Sequence, residues 1–333
     1  MTNKSVRWGI ISTAHIAERS FVPALHQTQR GQLVAVASRS RERAESFAHQ
    51  HHIPLVFDDY ISLLASDEID AVYNPLPNTM HAEWTAVAAQ HGKHVFCEKP
   101  LAVTPTEAQQ MIAVCQDAGV LLFEAFVFLY HPQTLKLRQL LDDGIIGDLL
   151  QLHGHMTFSL SRPTDNIRMN KDLGGGSLMD VGCYPITFTR FAFDEDPVAV
   201  QSVCRIDPDY GVDTRAGILL NFGDDRCATL QAGFDAVGGA GAVLFGDKGY
   251  IEVPQPYHPG EHSHFVVHTA EGEETVSFDT GVLPFTPAVE HFHDCILDGA
   301  EPIVTAVNAI GTLHIIEAVL ASSRSGRRIE LTM

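Results

Sequence analysis

The sequence predicts an α/β protein, with an N-terminal doubly wound parallel sheet followed by an α+β domain whose open-faced sheet is rich in antiparallel strands. Over residues 6–124, short β-branched runs alternate with helical periods, which is typical of parallel strands joined by helices. After residue 125, short alternating runs are separated by Gly and Asp, which indicates antiparallel strands. We therefore predict two domains, residues 1–124 and 125–333, as a chain of 333 residues allows.

The elements of the first domain follow from their residue patterns. Short apolar runs predict its strands, and apolar residues at a helical period predict its helices. We expect strands at 6–11, 32–38, 71–74, 94–97 and 120–124, and helices at 14–27, 41–51, 82–90 and 106–117. Parallel strands need right-handed crossovers, so these helices are expected on both faces of the sheet.

The second domain begins with a predicted helix at 133–142 that ends at Gly144. Another helix, over 177–193, follows three consecutive glycines, and helices at 287–298 and 304–324 close the chain. Alternating runs predict strands at 149–160, 198–206, 215–222, 226–234, 242–245, 250–253, 265–269 and 275–278.

Charge and composition exclude several classes of partner. Lys and Arg total 22 against 41 Asp and Glu, a formal charge of −19, which argues against nucleic acid or an anionic membrane surface. No apolar run reaches the ~18 residues of a spanning helix, and the first residues lack the apolar core of a signal peptide. The six cysteines are scattered without a C-x-x-C pair, so we expect a reduced, cytoplasmic protein.

The first predicted strand runs directly into a helix. The glycine fingerprint of dinucleotide-binding, or Rossmann, domains would fall on Ser12, Ala14 and Ala17, and only Ala17 fits it strictly. Small residues still let the backbone approach a pyrophosphate, and the helix start supplies free N–H groups. An ordinary β–α turn is an equal alternative. The residues expected to contact a dinucleotide here are Ser12, Thr13, Ala14, His15 and Ile16.

The second predicted strand ends without the Asp or Glu that usually holds a ribose 2′-hydroxyl. A hydroxyl, Ser38, is followed there by arginines, and arginine binds phosphate in a bidentate fork. We therefore expect Ser38, Arg39 and Arg43 to bind the 2′-phosphate of NADP, with NAD the less favoured cofactor. The alternative is that Arg39 and Arg41 merely lie on a solvated helix start.

The loop after the third predicted strand contains two prolines, which fix an extended turn before the next helix. In a doubly wound fold this loop lies at the carboxyl edge of the sheet, where ligands bind. We expect cofactor contacts from Pro75, Leu76, Asn78 and His81, although a turn with a helix cap explains part of the pattern.

An acid and a phenol follow the three glycines. Asp180 and Tyr184 are four residues apart, a spacing that puts both side chains on one face of a helix. A free phenol titrates near ~10, too high for a base at neutral pH, and a nearby ammonium favours the phenolate. Lys99, between Glu98 and Pro100 at a strand end, is the candidate ammonium.

Three segments together resemble the Gfo/Idh/MocA oxidoreductase family, which is named for glucose–fructose oxidoreductase and inositol dehydrogenase. They are GIISTAHIA at 9–17, EKPLA at 98–102 and GGGSLMDVGCYPI at 174–186. Tyr184 stands where other members have His, which is similar to the branch of NADP-dependent aldose 1-dehydrogenases and dimeric dihydrodiol dehydrogenases.

The resemblance implies a dehydrogenase or reductase that acts on a sugar or polyol CH–OH group. Tyr184 would be the general acid/base with Lys99 and Asp180 as catalytic partners, Glu98 and Lys99 would contact the cofactor, and Asp180 and Tyr184 would contact the substrate. From its position shortly before the three glycines, we also expect Arg168 to contact a substrate hydroxyl or phosphate. A homodimer or homotetramer formed through the C-terminal sheet is also implied.

Each of these roles has a structural alternative. Lys99 could be a surface lysine paired with Glu98, Asp180 could complement a helix dipole, and Tyr184 could be an ordinary interfacial aromatic. Arg168 could be a solvated loop arginine. We expect an aldose 1-dehydrogenase first, and a trans-dihydrodiol dehydrogenase or sugar ketoreductase second. A glycosidase that retains its nicotinamide cofactor and a non-catalytic sensor are the alternatives from other classes.

No metal is expected. Four histidines cluster near the end of the second domain, but their spacing is not typical of a ligand set, and nearby prolines and a glycine mark a loop. We interpret them as structural or surface residues. They are His258, His262, His264 and His268.

Overall fold

The structure is a computed structural model that describes residues 4–332. Two compact units make up the chain. One contains the described residues up to Tyr130 together with Val282–Ile310, and the other contains His131–Gly281 together with the described residues from Gly311 onward. The sequence predicted one boundary after residue 124, so the return of Val282–Ile310 to the first unit is a difference from that prediction.

The first unit is built on a parallel sheet. Its strands are β1 (Val6–Ile11), β2 (Gly31–Ala37), β3 (Leu55–Phe57), β4 (Ala71–Asn74), β5 (His94–Cys97) and β6 (Leu122–Glu124). They lie in the order β3-β2-β1-β4-β5-β6, and every neighbouring pair is parallel. The predicted doubly wound sheet is confirmed. The sequence missed β3, which has only three residues.

Helices connect these strands. A π-helical turn, Ala17–Phe21, leads into the first of them, and a short 3₁₀ helix, Asn78–Met80, precedes the fourth. The α-helices of this unit are Val22–Gln27, Arg41–His51, Tyr60–Leu64, His81–Gln90, Pro105–Asp117 and Thr286–Asp298.

Two helix starts show why the sequence specifies them. Ser40 Oγ accepts a hydrogen bond from the backbone N of Arg43 at 3.3 Å. Thr104 Oγ1 accepts from the backbone N of Glu107 at 3.2 Å, while Glu107 Oε2 accepts from the backbone N of Val103. These caps satisfy N–H groups that have no partner within a helix, so each helix begins directly after its hydroxyl residue.

Trp8 explains why the late helix Thr286–Asp298 belongs to the first unit. Trp8 is fully buried in β1, and its Nε1 donates a hydrogen bond to His293 Nε2 at 2.9 Å. Its ring centroid lies 5.2 Å from that of Phe292 and 5.1 Å from that of Phe21. A parallel sheet is normally covered on both faces, and burial of these rings supplies the driving force for the helix to return.

The second unit is built on a nine-stranded sheet. Its strands are β7 (Leu149–Thr157), β8 (Ala199–Ile206), β9 (Asp213–Asn221), β10 (Cys227–Gly233), β11 (Ala240–Gly246), β12 (Gly249–Val253), β13 (His262–Thr269), β14 (Gly272–Asp279) and β15 (Ile329–Glu330). The order is β14-β13-β12-β11-β7-β10-β9-β8-β15. The pair β7 and β10 is parallel and the others are antiparallel, so the predicted antiparallel-rich sheet is confirmed.

One face of this sheet is covered and the other is open. In β9, Ala216, Ile218 and Leu220 are buried, whereas the alternate residues Gly217 and Leu219 are exposed. The helices Pro132–Asp142 and Cys183–Phe193 belong to this unit, and Val307–Ser325 contains residues of both units. The helix predicted at 177–193 begins with a π-helical stretch, Leu178–Gly182, rather than as a continuous α-helix.

Candidate active site

In the first unit, a cleft of about 430 Å³ lies where β1 and β2 end and where the loop after β4 begins. The connections from β1 and β4 diverge at this point of the sheet, and ligands of doubly wound folds bind at such a crevice. Seven of the residues that the sequence assigned to the cofactor line this cleft. They are Ser12, Thr13, Ala14, Ser38, Arg39, Arg43 and Leu76.

The three arginines near the cleft differ in their partners. Arg41 turns away from it and pairs with Glu45 at 2.7 Å and with Asp58. Arg39 and Arg43 line the cleft itself, together with Tyr60. No acidic side chain is among the described residues that line the cleft, so its charge is positive.

His81, which the sequence predicted to contact the cofactor, is not among the residues that line the cleft. It is fully buried, with Nε2 2.8 Å from the Leu76 carbonyl O and Nδ1 3.0 Å from the Pro100 carbonyl O. Burial lowers the pKa of this imidazole. His81 therefore ties the proline-rich loop to the segment that follows Lys99.

Four further cofactor candidates also lie outside the cleft that the first unit forms: His15, Ile16, Pro75 and Asn78. Pro75 is buried, and its preference for an extended backbone shapes the loop. The sequence marked these residues by position along a motif, and a motif does not show which side chains point into the cleft.

Glu98 and Lys99 follow β5. Glu98 is buried, and its carboxylate accepts a hydrogen bond from the Tyr73 hydroxyl at 2.5 Å and from the backbone N of Lys99 at 3.3 Å. The next segment is held in turn, because the backbone N of Leu101 donates to Glu124 Oε1 at 2.7 Å. The backbone that carries the half-buried Lys99 is thus fixed on both sides by buried carboxylates.

In the second unit, the three glycines make a turn that no other residue fits. A Cβ on Gly175 would lie 2.6 Å from the Arg168 carbonyl O, and Gly176 has a φ of +124°. Beyond the turn, the buried Asp213 accepts hydrogen bonds from Ser177 Oγ at 2.6 Å and from the backbone N of Leu178 at 2.7 Å. Asp213 therefore caps the helix that carries Asp180 and Tyr184.

Asp180 and Arg168, both predicted to contact the substrate, form an ion pair. Arg168 Nε donates to Asp180 Oδ2 at 2.5 Å, and the backbone N of Gly176 donates to the Arg168 carbonyl O at 2.9 Å. The Arg168 side chain is 41% exposed, compared with 18% for Asp180. The glycine turn thus brings together a loop arginine and a helix acid that are twelve residues apart along the chain.

Tyr184 is buried one helical turn beyond Asp180, with 8% of its surface exposed. His258 Nε2 lies 3.2 Å from the Tyr184 hydroxyl, and the two ring centroids are 4.7 Å apart. The sequence interpretation of His258 as a structural or surface residue missed this contact. No local pattern signals it, because residue 258 lies in the loop after β12, 74 residues along the chain from Tyr184.

The described residues contain neither a metal-binding cluster nor a membrane-spanning helix. Among residues 4–332, no group of three or more His, Cys, Asp and Glu side chains is arranged to hold a metal ion. Within the same range, no helix combines the length and apolar character that crossing a bilayer requires.

Comparison with known proteins identifies the family. Residues 6–126 match the model of an oxidoreductase family with an NAD-binding Rossmann fold, and residues 134–252 match the GFO/IDH/MocA C-terminal domain. The chain is 34% identical to D-xylose 1-dehydrogenase (NADP(+)) 2 of Haloferax volcanii, over 97% of this chain and 99% of that protein. It is 31% identical to trans-1,2-dihydrobenzene-1,2-diol dehydrogenase of Xenopus laevis, over 92% and 94%.

A solved structure agrees with these matches. A 3-ketoreductase from Actinomadura kijaniata, in complex with NADP and TDP-benzene, superimposes with a TM-score of 0.88 at 30% sequence identity, covering 96% of this chain and 98% of that one. Both domain models match in the expected order, and the relatives cover nearly the whole chain. The chain therefore belongs to the Gfo/Idh/MocA oxidoreductase family and is an oxidoreductase.

Proposed function

We propose that this protein transfers a hydride between NADP and a sugar or polyol hydroxyl or carbonyl group, with an aldose 1-dehydrogenase activity as the first choice. The cleft of the first unit carries this proposal, because Arg39 and Arg43 line it and none of the lining residues that the structure describes is acidic. Two guanidinium groups suit a 2′-phosphate, whereas NAD selectivity needs a carboxylate for the ribose hydroxyls. The NADP named for relatives supports this choice.

The chain contains residues that fit the cofactor. Ser12 and Ala14 are small, and the helix start beside them offers N–H groups to a pyrophosphate. When bound, the nicotinamide would accept or supply the hydride. In this proposal the first unit binds the dinucleotide and the second unit binds the substrate.

Tyr184 is the proposed general acid/base. In the oxidising direction its phenolate takes the substrate hydroxyl proton while the carbon loses its hydride. Lys99 is the proposed ammonium that lowers the pKa of the phenol, which is ordinarily ~10. Asp180, oriented by Arg168, is proposed to accept a hydrogen bond from a second substrate hydroxyl.

A panel assay tests the activity. Aldoses, polyols and dihydrodiols would be offered with NADP⁺ and with NAD⁺, and reduced cofactor would be followed by absorbance. Tyr184→Phe is expected to lower kcat by about 10²-fold or more, in line with general acid–base catalysis, with little change in NADP affinity. Tyr250→Phe is the matched control, because that ring stacks on His268 in the sheet. Undiminished turnover in Tyr184→Phe would remove the phenol from the mechanism.

The same panel separates the alternatives. The dihydrodiol dehydrogenase and 3-ketoreductase relatives make these activities the second choice, and a preference for dihydrodiols or for keto sugars would identify them. A glycosidase that retains its nicotinamide would be purified with bound cofactor and would hydrolyse a glycoside without net turnover of added NADP⁺.

We also propose self-association through the open face of the nine-stranded sheet, as a homodimer or homotetramer. Val203 on β8 is 78% exposed and Leu219 on β9 is 42% exposed, and both are apolar. Val203→Glu is expected to shift the sedimentation coefficient to that of a monomer.

All six cysteines are free thiols, which supports a reducing compartment such as the cytoplasm.

A further inference from the structure

A histidine touches the hydroxyl of the proposed acid/base. His258 Nε2 lies 3.2 Å from Tyr184 Oη, within hydrogen-bond distance, and the two rings are tilted by 51° with centroids 4.7 Å apart. Tyr184 is buried, whereas His258 is exposed. The pair therefore connects a buried phenol to a residue that reaches solvent.

The position of His258 is fixed by the residues before it. Tyr257 is fully buried, its ring centroid lies 5.7 Å from that of Phe188, and its hydroxyl donates to the Gly241 carbonyl O at 3.4 Å. Gln133 Nε2 donates to the Gln255 carbonyl O at 2.9 Å. These contacts hold the loop between β12 and β13 against the sheet and the helices, so His258 is presented to Tyr184 by an anchored backbone.

The other three histidines of this segment differ in position. His262, His264 and His268 all lie on β13, where His262 is 80% exposed and pairs with Asp279, and where His268 stacks on Tyr250. None of these contacts reaches the Tyr184 hydroxyl. The structure therefore distinguishes His258, whose Nε2 contacts the Tyr184 hydroxyl, from three histidines that the sequence grouped with it.

We infer that His258 is a positioning and proton-relay residue for Tyr184, an inference that rests on the proposed function. A buried phenol that takes a proton in each oxidative turnover must lose it before the next. The substrate O–H bond breaks as its proton moves to the Tyr184 phenolate, and the hydride leaves with its electron pair for the oxidised nicotinamide. Tyr184 then passes its proton to the unprotonated Nε2 of His258, and the imidazolium releases a proton to water. In the reducing direction every transfer reverses.

The test compares His258→Ala, His258→Gln and the control His262→Ala in the purified enzyme. His258→Ala is expected to lower kcat by about 10-fold or more, less than the loss of the general acid/base itself, while the KM for the sugar and the Kd for NADP stay within about two-fold. Added imidazole should restore much of the loss in His258→Ala and none in Tyr184→Phe. His258→Gln, whose amide can still contact the phenol, should be intermediate.

His262→Ala should have the same kcat and KM as the parent enzyme, and circular dichroism should show that all variants are folded. A kcat for His258→Ala within about two-fold of the parent would overturn the relay while Tyr184→Phe remains inactive and the proposed function stands. A loss that imidazole does not restore, accompanied by a raised KM, would also overturn it and would assign His258 a merely structural role. A parent enzyme inert toward the whole panel would overturn both proposals.

Discussion

Arg168 Nε donates to Asp180 Oδ2 at 2.5 Å, which joins a loop arginine to a helix acid twelve residues later. The glycines make this possible, because the Arg168 carbonyl O occupies the space that a Cβ on Gly175 would need, and because Gly176 N donates to that same oxygen. Among the described residues, neither Nη atom of Arg168 has a hydrogen-bond partner. The guanidinium can therefore hold Asp180 and still offer donors to a substrate.

Replacing Arg168 tests this arrangement. Arg168→Met should lower kcat/KM for the sugar by about 10-fold or more, because a charged hydrogen bond contributes roughly 1.5–3 kcal/mol. Most of the effect should fall on KM, and NADP affinity should not change. Lys171→Met, which removes an exposed cation three residues away, is the control. Initial rates over a sugar concentration series measure both constants, and equal losses in the two variants would show that only net charge matters.

Arg39 and Arg41 provide a matched pair for cofactor choice. Arg39 lines the cleft, whereas Arg41 is engaged with Glu45 and Asp58. Arg39→Ala should weaken NADP binding by about 10-fold or more and leave NAD binding nearly unchanged, because only NADP carries the 2′-phosphate. Arg41→Ala should affect neither cofactor. Fluorescence titration with both reduced cofactors measures this, and a parallel loss for NAD in Arg39→Ala would refute the assignment.

The sequence predicted elements best where the signal is local. The bounds of β1, β4 and β5 agree residue for residue, because short apolar runs between turn residues define them. Sequence patterns did not show the position of an element that is determined by contacts with residues far away along the chain. Thr286–Asp298 joins the first unit because its Phe292 and His293 pack on Trp8, which is nearly the whole chain away.

The residues of the candidate site also fall into two groups, those that a local motif marks and those that come from distant parts of the chain. Motif spacing singled out Asp180, Tyr184 and the residues of the first turn as candidates, since glycines and small residues signal tight backbone turns. It did not predict Asp213 as the helix cap, which comes from β9, or His258, which comes from a loop after β12. Both contacts arise from the pairing of strands, and no pattern within a short window encodes them.

Replacing Asp213 is expected to lower both the unfolding free energy and kcat. Its carboxylate accepts from Ser177 Oγ and from the backbone N of Leu178, so Asp213→Ala leaves two buried donors without their acceptor. A lost helix cap costs roughly 0.5–2 kcal/mol, and we expect at least that from urea unfolding. Asp213→Asn keeps an acceptor and should lose less. Since this helix carries Asp180 and Tyr184, kcat should fall in the same order, whereas exposed Asp209→Ala should change neither quantity.

His293 makes the first unit sensitive to acid. Burial, with a smaller effect from the Arg30 guanidinium, lowers the pKa of His293 to about 4. Its Nε2 accepts the hydrogen bond from Trp8 Nε1, so protonation at that nitrogen would break the contact. In the unfolded chain the imidazole titrates near ~6.5, so between pH ~4 and ~6.5 the unfolded state binds more protons. The contribution of His293 to stability therefore rises with pH across this window and is lost as the pH falls through it.

A depression of this size corresponds to about 3 kcal/mol over the whole window, since one pKa unit is about 1.4 kcal/mol. His293→Gln keeps an acceptor for Trp8 but does not titrate, so its unfolding free energy should fall less steeply between pH 6.5 and pH 4. Urea unfolding followed by tryptophan fluorescence reports on the first unit, which contains His293, because the two tryptophans, Trp8 and Trp84, both lie in that unit. Exposed His91→Gln is the control, and a pH dependence unchanged by His293→Gln would show that other groups govern the acid response.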